Sequence, residues 1–305
     1  MDLLQTIGNT PLLRLKKLVP KTSAAVWLKY EGNNPTGSYK DRMAMGVIQA
    51  AFERGELKPG DRICEYTGGS TGTSIAFVAS QFGLRFTAVT STAFAASKLQ
   101  AIKAYGADLV LVESSDGKLN PDLFQKLKAK AEEISSIDGV KYFDQFGSAD
   151  VRPSYRAIGT EIAESLEGDV DAYCAAVGTA GSLMGTIDGL DSAGIEADFY
   201  ALEPLQSPRL TTGEGGSHRV EGIALGFAPP FLEMSRIREV LAIDEEEGFE
   251  MCRLLARQEG ILAGGSTGLN VVAALKIAER LGPDKNVVTI GCDNGAKYLG
   301  GHIFG

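Results

Sequence analysis

The segment Gly32–Arg42, GNNPTGSYKDR, sets a run of turn-forming residues in front of a single lysine, Lys40. A lysine amine held at a loop end can form an imine with a carbonyl carbon or act as a general base. It can equally be a solvated side chain in the first turn of a helix capped by Ser38. The segment alone leaves both readings open.

Three further segments carry small residues at the start of helical patterns: Thr67-Gly68-Gly69-Ser70-Thr71-Gly72, Gly178-Thr179-Ala180-Gly181-Ser182 and Gly264-Gly265-Ser266-Thr267-Gly268. Each follows an apolar run. The free N–H groups and the dipole of a helix N-terminus favour an anion. Glycine lets the backbone come close to a phosphate or carboxylate. Three such loops in one chain point to a ligand with several polar ends. The spacing fits neither the dinucleotide fingerprint nor the P-loop. GGSTG also occurs twice, and both copies match the G-x-S-x-G elbow of serine hydrolases. That chemistry needs a downstream histidine. Ser70 could draw on His218 or His302, and Ser266 only on His302.

These loops need elements to position them. RICEY (62–66), FTAVTS (86–91), DLVLVES (108–114), AYCAAVG (172–178), DFYALEP (198–204) and NVVTIGC (286–292) read as strands. TSIAFVASQFG, SKLQAIKAYG, PDLFQKLKAKAEEI (opened by Pro121) and EEGFEMCRLLARQEG read as helices between or after them. Alternation of this kind predicts βαβ units, mostly parallel sheets and helices on both faces. Open α/β sheets bind ligands at the C-terminal ends of their strands, where all three loops fall. GEGGS (213–217) reads as a surface loop.

Bulk properties narrow the classes. The chain has 305 residues, 44% hydrophobic and 23% charged, with a net charge of -9. The acidic balance argues against a nucleic-acid surface. No apolar run approaches a membrane span, and the N-terminus lacks the pattern of a signal peptide. The four cysteines, Cys64, Cys174, Cys252 and Cys292, show no metal or redox spacing, which fits a reducing cytoplasm. With only two histidines, no His-based metal site is expected.

Taken in order, IGNTPLLRL (7–15), NPTGSYKDR (34–42), TGGSTG (67–72), GTAGS (178–182), EGIALGF (221–227) and GGSTG (264–268) resemble the cysteine synthase and cystathionine β-synthase family of fold-type II pyridoxal-phosphate enzymes. The resemblance runs over nearly the whole chain. It implies an α/β fold of the tryptophan synthase β-subunit type, with two domains. Each would be a mostly parallel twisted sheet flanked by helices, with the cofactor in the cleft between them. Residues 1–42 plus 148–305 would form a larger cofactor-binding domain, and 43–147 a smaller mobile domain that closes on substrate.

By this resemblance Lys40 holds pyridoxal 5'-phosphate as a Schiff base, and Asn34, Pro35 and Gly37 shape its loop. Gly178, Thr179, Ala180, Gly181 and Ser182 form the phosphate cup, and Ser266 meets the pyridine nitrogen. Thr67, Gly68, Gly69, Ser70 and Thr71, with Gln145 and Gly222, bind the substrate; Ser70 also stands where the family contacts the cofactor. The implied reaction is β-replacement on an activated serine, of the O-acetylserine or O-phosphoserine type, with a small nucleophile such as sulfide. It would pass through an aminoacrylate to cysteine or a related β-substituted alanine. A β-elimination lyase or dehydratase, a threonine synthase-like enzyme and a silent small-molecule sensor stay open on the same scaffold. A cytoplasmic homodimer without an appended regulatory or haem domain is expected.

Departures from the usual cysteine synthase pattern stand out, beginning with the lysine loop NPTGSYKDR, which resembles threonine synthase nearly as much. Gly68 replaces a serine and Ser70 an asparagine. Ala180 replaces a glycine. STAFAASKLQ (91–100) replaces the usual residues near the substrate entrance. Arg209 and Arg219 are candidates for an anionic leaving group or plain surface charges. Asp293, in GCDNG, reads as a helix N-cap.

Overall fold

The computed structural model describes residues 2–114, 121–224 and 227–305. Leu225 and Gly226 of the EGIALGF motif lie outside the described residues. In chain order the elements are β1 (Leu12–Arg14), β2 (Ala25–Tyr30), α1 (Lys40–Glu53), β3 (Arg62–Tyr66), α2 (Ser70–Gln81), β4 (Arg85–Thr90), α3 (Ala96–Ala104), β5 (Asp108–Leu111), α4 (Pro121–Ser135) and β6 (Val140–Tyr142). They continue as α5 (Arg156–Ser165), β7 (Ala172–Ala176), α6 (Gly181–Ser192), β8 (Asp198–Pro204), α7 (Arg209–Thr212), β9 (Glu239–Ile243), α8 (Glu245–Leu254), α9 (Gly265–Leu281) and β10 (Asn286–Gly291).

The chain divides into two compact units, Met1–Ile7 with Lys40–Ser154, and Gly8–Tyr39 with Tyr155–Gly305. The first holds a four-stranded parallel sheet in the order β5-β4-β3-β6. After β3 the chain moves outward through β4 and β5, then returns to add β6 on the other side. The order therefore reverses between β3 and β6, the kind of switch point at which open α/β sheets bind ligands. The loops leaving these two strands are 67–71 and 143–146. Cys64, Tyr66, Val89, Leu123, Leu127, Ala131 and Val140 form a core on one face, where α4 lies on β3 and β6.

The second unit holds a six-stranded sheet in the order β1-β2-β10-β7-β8-β9, parallel except for β1. Its order reverses between β7 and β10. The loops leaving that pair are 177–181 and 292–294. β8 and β10 are buried along nearly their whole lengths, as expected for parallel strands covered on both faces. α5 and α6 cross where Gly159 and Gly189 meet the opposite backbone; a Cβ on Gly159 would lie 2.1 Å from the Thr186 carbonyl. That close crossing seats α6 and hence the loop before it. Among the described residues, no helix is long and apolar enough to cross a membrane.

Candidate functional site

In the larger unit, the 178–182 loop follows β7 directly. Gly178 lies against Gly222; a Cβ there would come 2.5 Å from the Gly222 carbonyl oxygen. Ala224 N–H donates to the Val177 carbonyl (3.0 Å) and Phe231 N–H to the Thr179 carbonyl (3.2 Å). Ala224 and Phe231 are thus fastened along this loop. Ala180 has φ 67° and ψ 1°, the left-handed conformation, and α6 starts just after it with no side-chain cap. Gly181 N–H donates to Thr179 Oγ1 (3.2 Å). A left-handed residue before an uncapped helix turns successive N–H groups to one side, which makes a nest for an anion. The phenol of Tyr39 is hydrogen-bonded to Ser182.

The segment that ends in Lys40 is fixed in the same unit up to Tyr39. Asn34 Nδ2 donates to Glu31 Oε2 (2.8 Å), and Gly8 N–H donates to Asn34 Oδ1 (2.9 Å). Glu31 is fully buried and also accepts from Thr10 Oγ1 (2.5 Å). Neighbouring Lys29, 1% exposed, pairs with Glu161 (2.6 Å) and donates to the Thr10 carbonyl (2.6 Å). Beyond this network, Asn294 N–H donates to the Gly37 carbonyl (2.9 Å) and Tyr39 N–H to the Cys292 carbonyl (3.0 Å), with Ser38 bridged to Asp293. Ser38 is therefore a buried bridge residue rather than part of an exposed turn. Lys40 follows as the half-buried first residue of α1.

Ser266 lies in the first turn of α9, again without a side-chain cap. Its neighbour Thr267 accepts from Cys292 N–H (3.0 Å). Asn270, one turn on and fully buried, accepts from Ala176 N–H (2.8 Å) and donates to the Ile290 carbonyl (2.7 Å). It ties the ends of β7 and β10 together. Asp293 is not the cap it was expected to be. Asn294 caps the short turn 295–298 through Ala296 N–H, while Asp293 is buried and accepts from the Tyr298 hydroxyl at 2.6 Å.

In the smaller unit, the loop after β3 meets the segment after β6. Thr71 Oγ1 donates to Gln145 Oε1 (3.1 Å), and Gln145 Nε2 donates to the Tyr66 carbonyl (3.2 Å). Gln145 is buried, not a surface amide. Thr67 Oγ1 accepts from Gly72 N–H (3.0 Å), closing the loop on itself. α2 begins at Ser70 behind Gly69 with no side-chain cap, so this loop too presents a helix N-terminus. Phe94 packs over Gly68. Glu65, the residue before Tyr66, is fully buried and accepts from the N–H groups of Tyr66 and Gln145, each at 2.8 Å. Burial pushes its carboxyl up to about 8, against the downward pull of those N–H groups.

Of the other candidates, Arg209 lies beside the cup, lining one cavity with Val177, Gly178 and Ala224. Arg219 is engaged by Glu245 (3.0 Å) and Glu246 and lies over the Phe249 ring. Arg209 opens the short α7 beside Gly215. His302 stands edge-on to Phe249, and His218 Nε2 is 3.2 Å from the Ala224 carbonyl. Neither histidine is hydrogen-bonded to Ser266 among the described residues, so the elbow reading finds no base there. Glu65, Glu31 and Asn270 went unread in the sequence. The one signal for Glu65 was an acid inside the otherwise apolar strand RICEY.

A family model described as "Pyridoxal-phosphate dependent enzyme" matches residues 3–293. The cysteine synthase of Staphylococcus aureus is 35% identical over 300 residues, covering 98% of this chain and 95% of that protein. A probable cysteine synthase of Bacillus subtilis is 37% identical over 296 residues, covering 96% and 94%. Among solved structures, that of an O-ureido-L-serine synthase superposes with a TM-score of 0.90 at 34% identity, covering 99% of this chain and 94% of that one.

Proposed function

Because the chain belongs to the pyridoxal-phosphate-dependent enzyme family, in its cysteine synthase and cystathionine β-synthase group, we propose that it carries out β-replacement on O-acetylserine, with sulfide as the nucleophile and cysteine as the product. The observation that carries the reading is the cup at 178–182. Its left-handed Ala180, uncapped helix start and two hydroxyls, Thr179 and Ser182, suit a phosphate dianion. The donor set therefore fits pyridoxal phosphate. When bound, that cofactor draws electron density from Cα and so lets a group on Cβ depart.

The chain's own residues supply the rest. Lys40 would hold the cofactor through its amine and, once free of it, would take the Cα proton at Nζ. Acetate leaves with the Cβ–O bonding pair. A sulfur lone pair then forms the new Cβ–S bond, and a proton returns to Cα. Thr67, Gly68, Gly69, Ser70 and Thr71 offer backbone N–H groups and hydroxyls to the substrate carboxylate, and the Gln145 amide joins them. Gly222 completes the substrate edge beside Gly178. Ser266 would offer the pyridine nitrogen a neutral hydroxyl, which would favour expulsion at Cβ over prolonged charge at Cα. The reading extends to a homodimer in the cytoplasm, which light scattering and fractionation test.

The test is an absorbance spectrum of the purified protein, taken before and after O-acetylserine and again after sulfide. A visible band that Lys40→Ala abolishes, shifts with O-acetylserine and returns with sulfide is the expected result. Keto-acid release without sulfide uptake would assign elimination instead. No band after reconstitution would overturn the reading.

A further inference from the structure

Glu65 is an acid where a covered parallel sheet normally carries an apolar residue. It sits on the inner strand β3, opposite Ala88 of β4, with no exposure to solvent. Among the described residues no lysine or arginine pairs with it. The titratable groups around it are Cys64 and Tyr66 on its own strand, Tyr142 at the end of β6 and Asp144 beyond that strand; farther out, Glu132 on α4 acts on Tyr66 and Tyr142, and Arg62 on Cys64. Asp144 adds negative charge, while the Cys64 thiol and the Tyr66 and Tyr142 phenols, raised by burial, stay neutral. An unpaired buried carboxyl in such company is destabilising, so its retention calls for a local task.

The task is visible in its hydrogen bonds. One oxygen accepts from Tyr66 N–H and the other from Gln145 N–H, each at 2.8 Å. The two groups lie on either side of the strand-order reversal, one ending β3 and the other following β6. The Gln145 side chain then reaches back to the Tyr66 carbonyl and the Thr71 hydroxyl. A single acid thus fixes the peptide whose side chain holds the 67–71 loop in register.

We propose that Glu65 is a positioning residue for the substrate carboxylate site: as a carboxylate it clamps the Gln145 backbone, and so sets where the Gln145 amide and the Thr71 hydroxyl meet the substrate. The inference rests on the substrate role given above to that loop. The clamp depends on ionisation. A carboxylate accepts at both oxygens, whereas a protonated acid faces one N–H with its hydroxyl oxygen and loses that bond. Burial pushes this carboxyl up to about 8, so the clamp completes as pH rises through that value.

The test compares the wild-type holoenzyme with Glu65→Gln, a fair mimic of the protonated acid, using O-acetylserine as the probe. Both should keep the cofactor band, and kcat should differ by no more than about twofold. The KM ratio, variant over wild type, should be near one well below pH 8 and climb to about tenfold above it, the effect of one lost buried hydrogen bond. A ratio of one at every pH in an active pair overturns the proposal. Should the variant not fold, infrared spectra of the wild type serve instead: a buried carboxylic acid band must vanish with the midpoint at which KM falls, and a KM that ignores that midpoint overturns it. If the wild type itself shows no cofactor band and no turnover, the parent reading has failed and takes this one with it.

Discussion

The backbone of Gly68 runs directly beneath the ring of Phe94, so close that a Cβ on residue 68 would meet the ring carbons at 2.0–2.3 Å. Two departures from the family pattern are thus one feature. The ring of Phe94, set edge-on to Phe124 at 6.4 Å, takes the space a residue 68 side chain would need. Gly68→Ser should destabilise the protein by about 1–3 kcal/mol through overpacking. Combined with Phe94→Ala, the serine should fit, giving a favourable coupling of about 1 kcal/mol or more in a double-mutant cycle. Denaturant unfolding of the four proteins checks it; additive effects would break the link.

Ala180 departs from the family differently. Its left-handed φ of 67° disfavours any residue with a Cβ by about 1–2 kcal/mol. Glycine would remove that strain but enlarge the unfolded ensemble at a cost of about 0.5–1 kcal/mol. Ala180→Gly should therefore lie within about 1 kcal/mol of wild type, on the stabilising side. Ala180→Val should be destabilised, because branching at Cβ worsens the same clash. Urea midpoints of the cofactor-free proteins measure both.

Glu65 makes a prediction about stability that is opposite in sign to its effect on binding. Folding raises its carboxyl from the ordinary 4.5 to about 8. Between those values the folded chain holds a proton that the unfolded chain has released. Its stabilising contribution is full below 4.5 and is lost as pH rises through about 8. The wild type should therefore lose more Tm than Glu65→Gln as pH is raised across this window. Equal slopes in the two proteins would show that the acid is not titrating there.

The Lys29–Glu161 pair is a different kind of buried charge, with both partners present and Lys29 almost sealed from solvent. Glu161→Ala should cost about 3–5 kcal/mol, because it strands an ammonium group in the core. Lys29→Met together with Glu161→Leu should recover most of that loss. Thermal unfolding of single and double variants distinguishes a stranded charge from simple loss of packing.

Several of the longer elements could be read directly from the chain, though β2 and α5 were not. Strands 62–66 and 198–204 have the bounds their apolar runs suggest, because parallel strands covered on both faces leave little ambiguity about where burial stops. β1, β2, β6 and β9 escaped notice; β1 and β6 have three residues each, and such short strands are defined by their partners and not by their own pattern. The same logic divides the site. Lys40 and the glycine loops announce themselves by local sequence. The contact of Thr71 with Gln145 spans 74 positions and becomes legible only once β6 is laid beside β3. Asp293 was misread for a related reason: capping is decided by one residue of offset, and Asn294 has the better one.

All four cysteines are reduced and buried, Cys64 in the smaller unit and the other three in the larger. Burial pushes the thiols of Cys64, Cys174 and Cys252 up to about 12, so these three offer almost no thiolate to an alkylating reagent in the native chain. Labelling must then wait for local opening. Each unit consequently carries its own chemical clock: the rate at which Cys64 takes up reagent times excursions of one sheet, and the rates at Cys174 and Cys252 time excursions of the other, without any engineered probe.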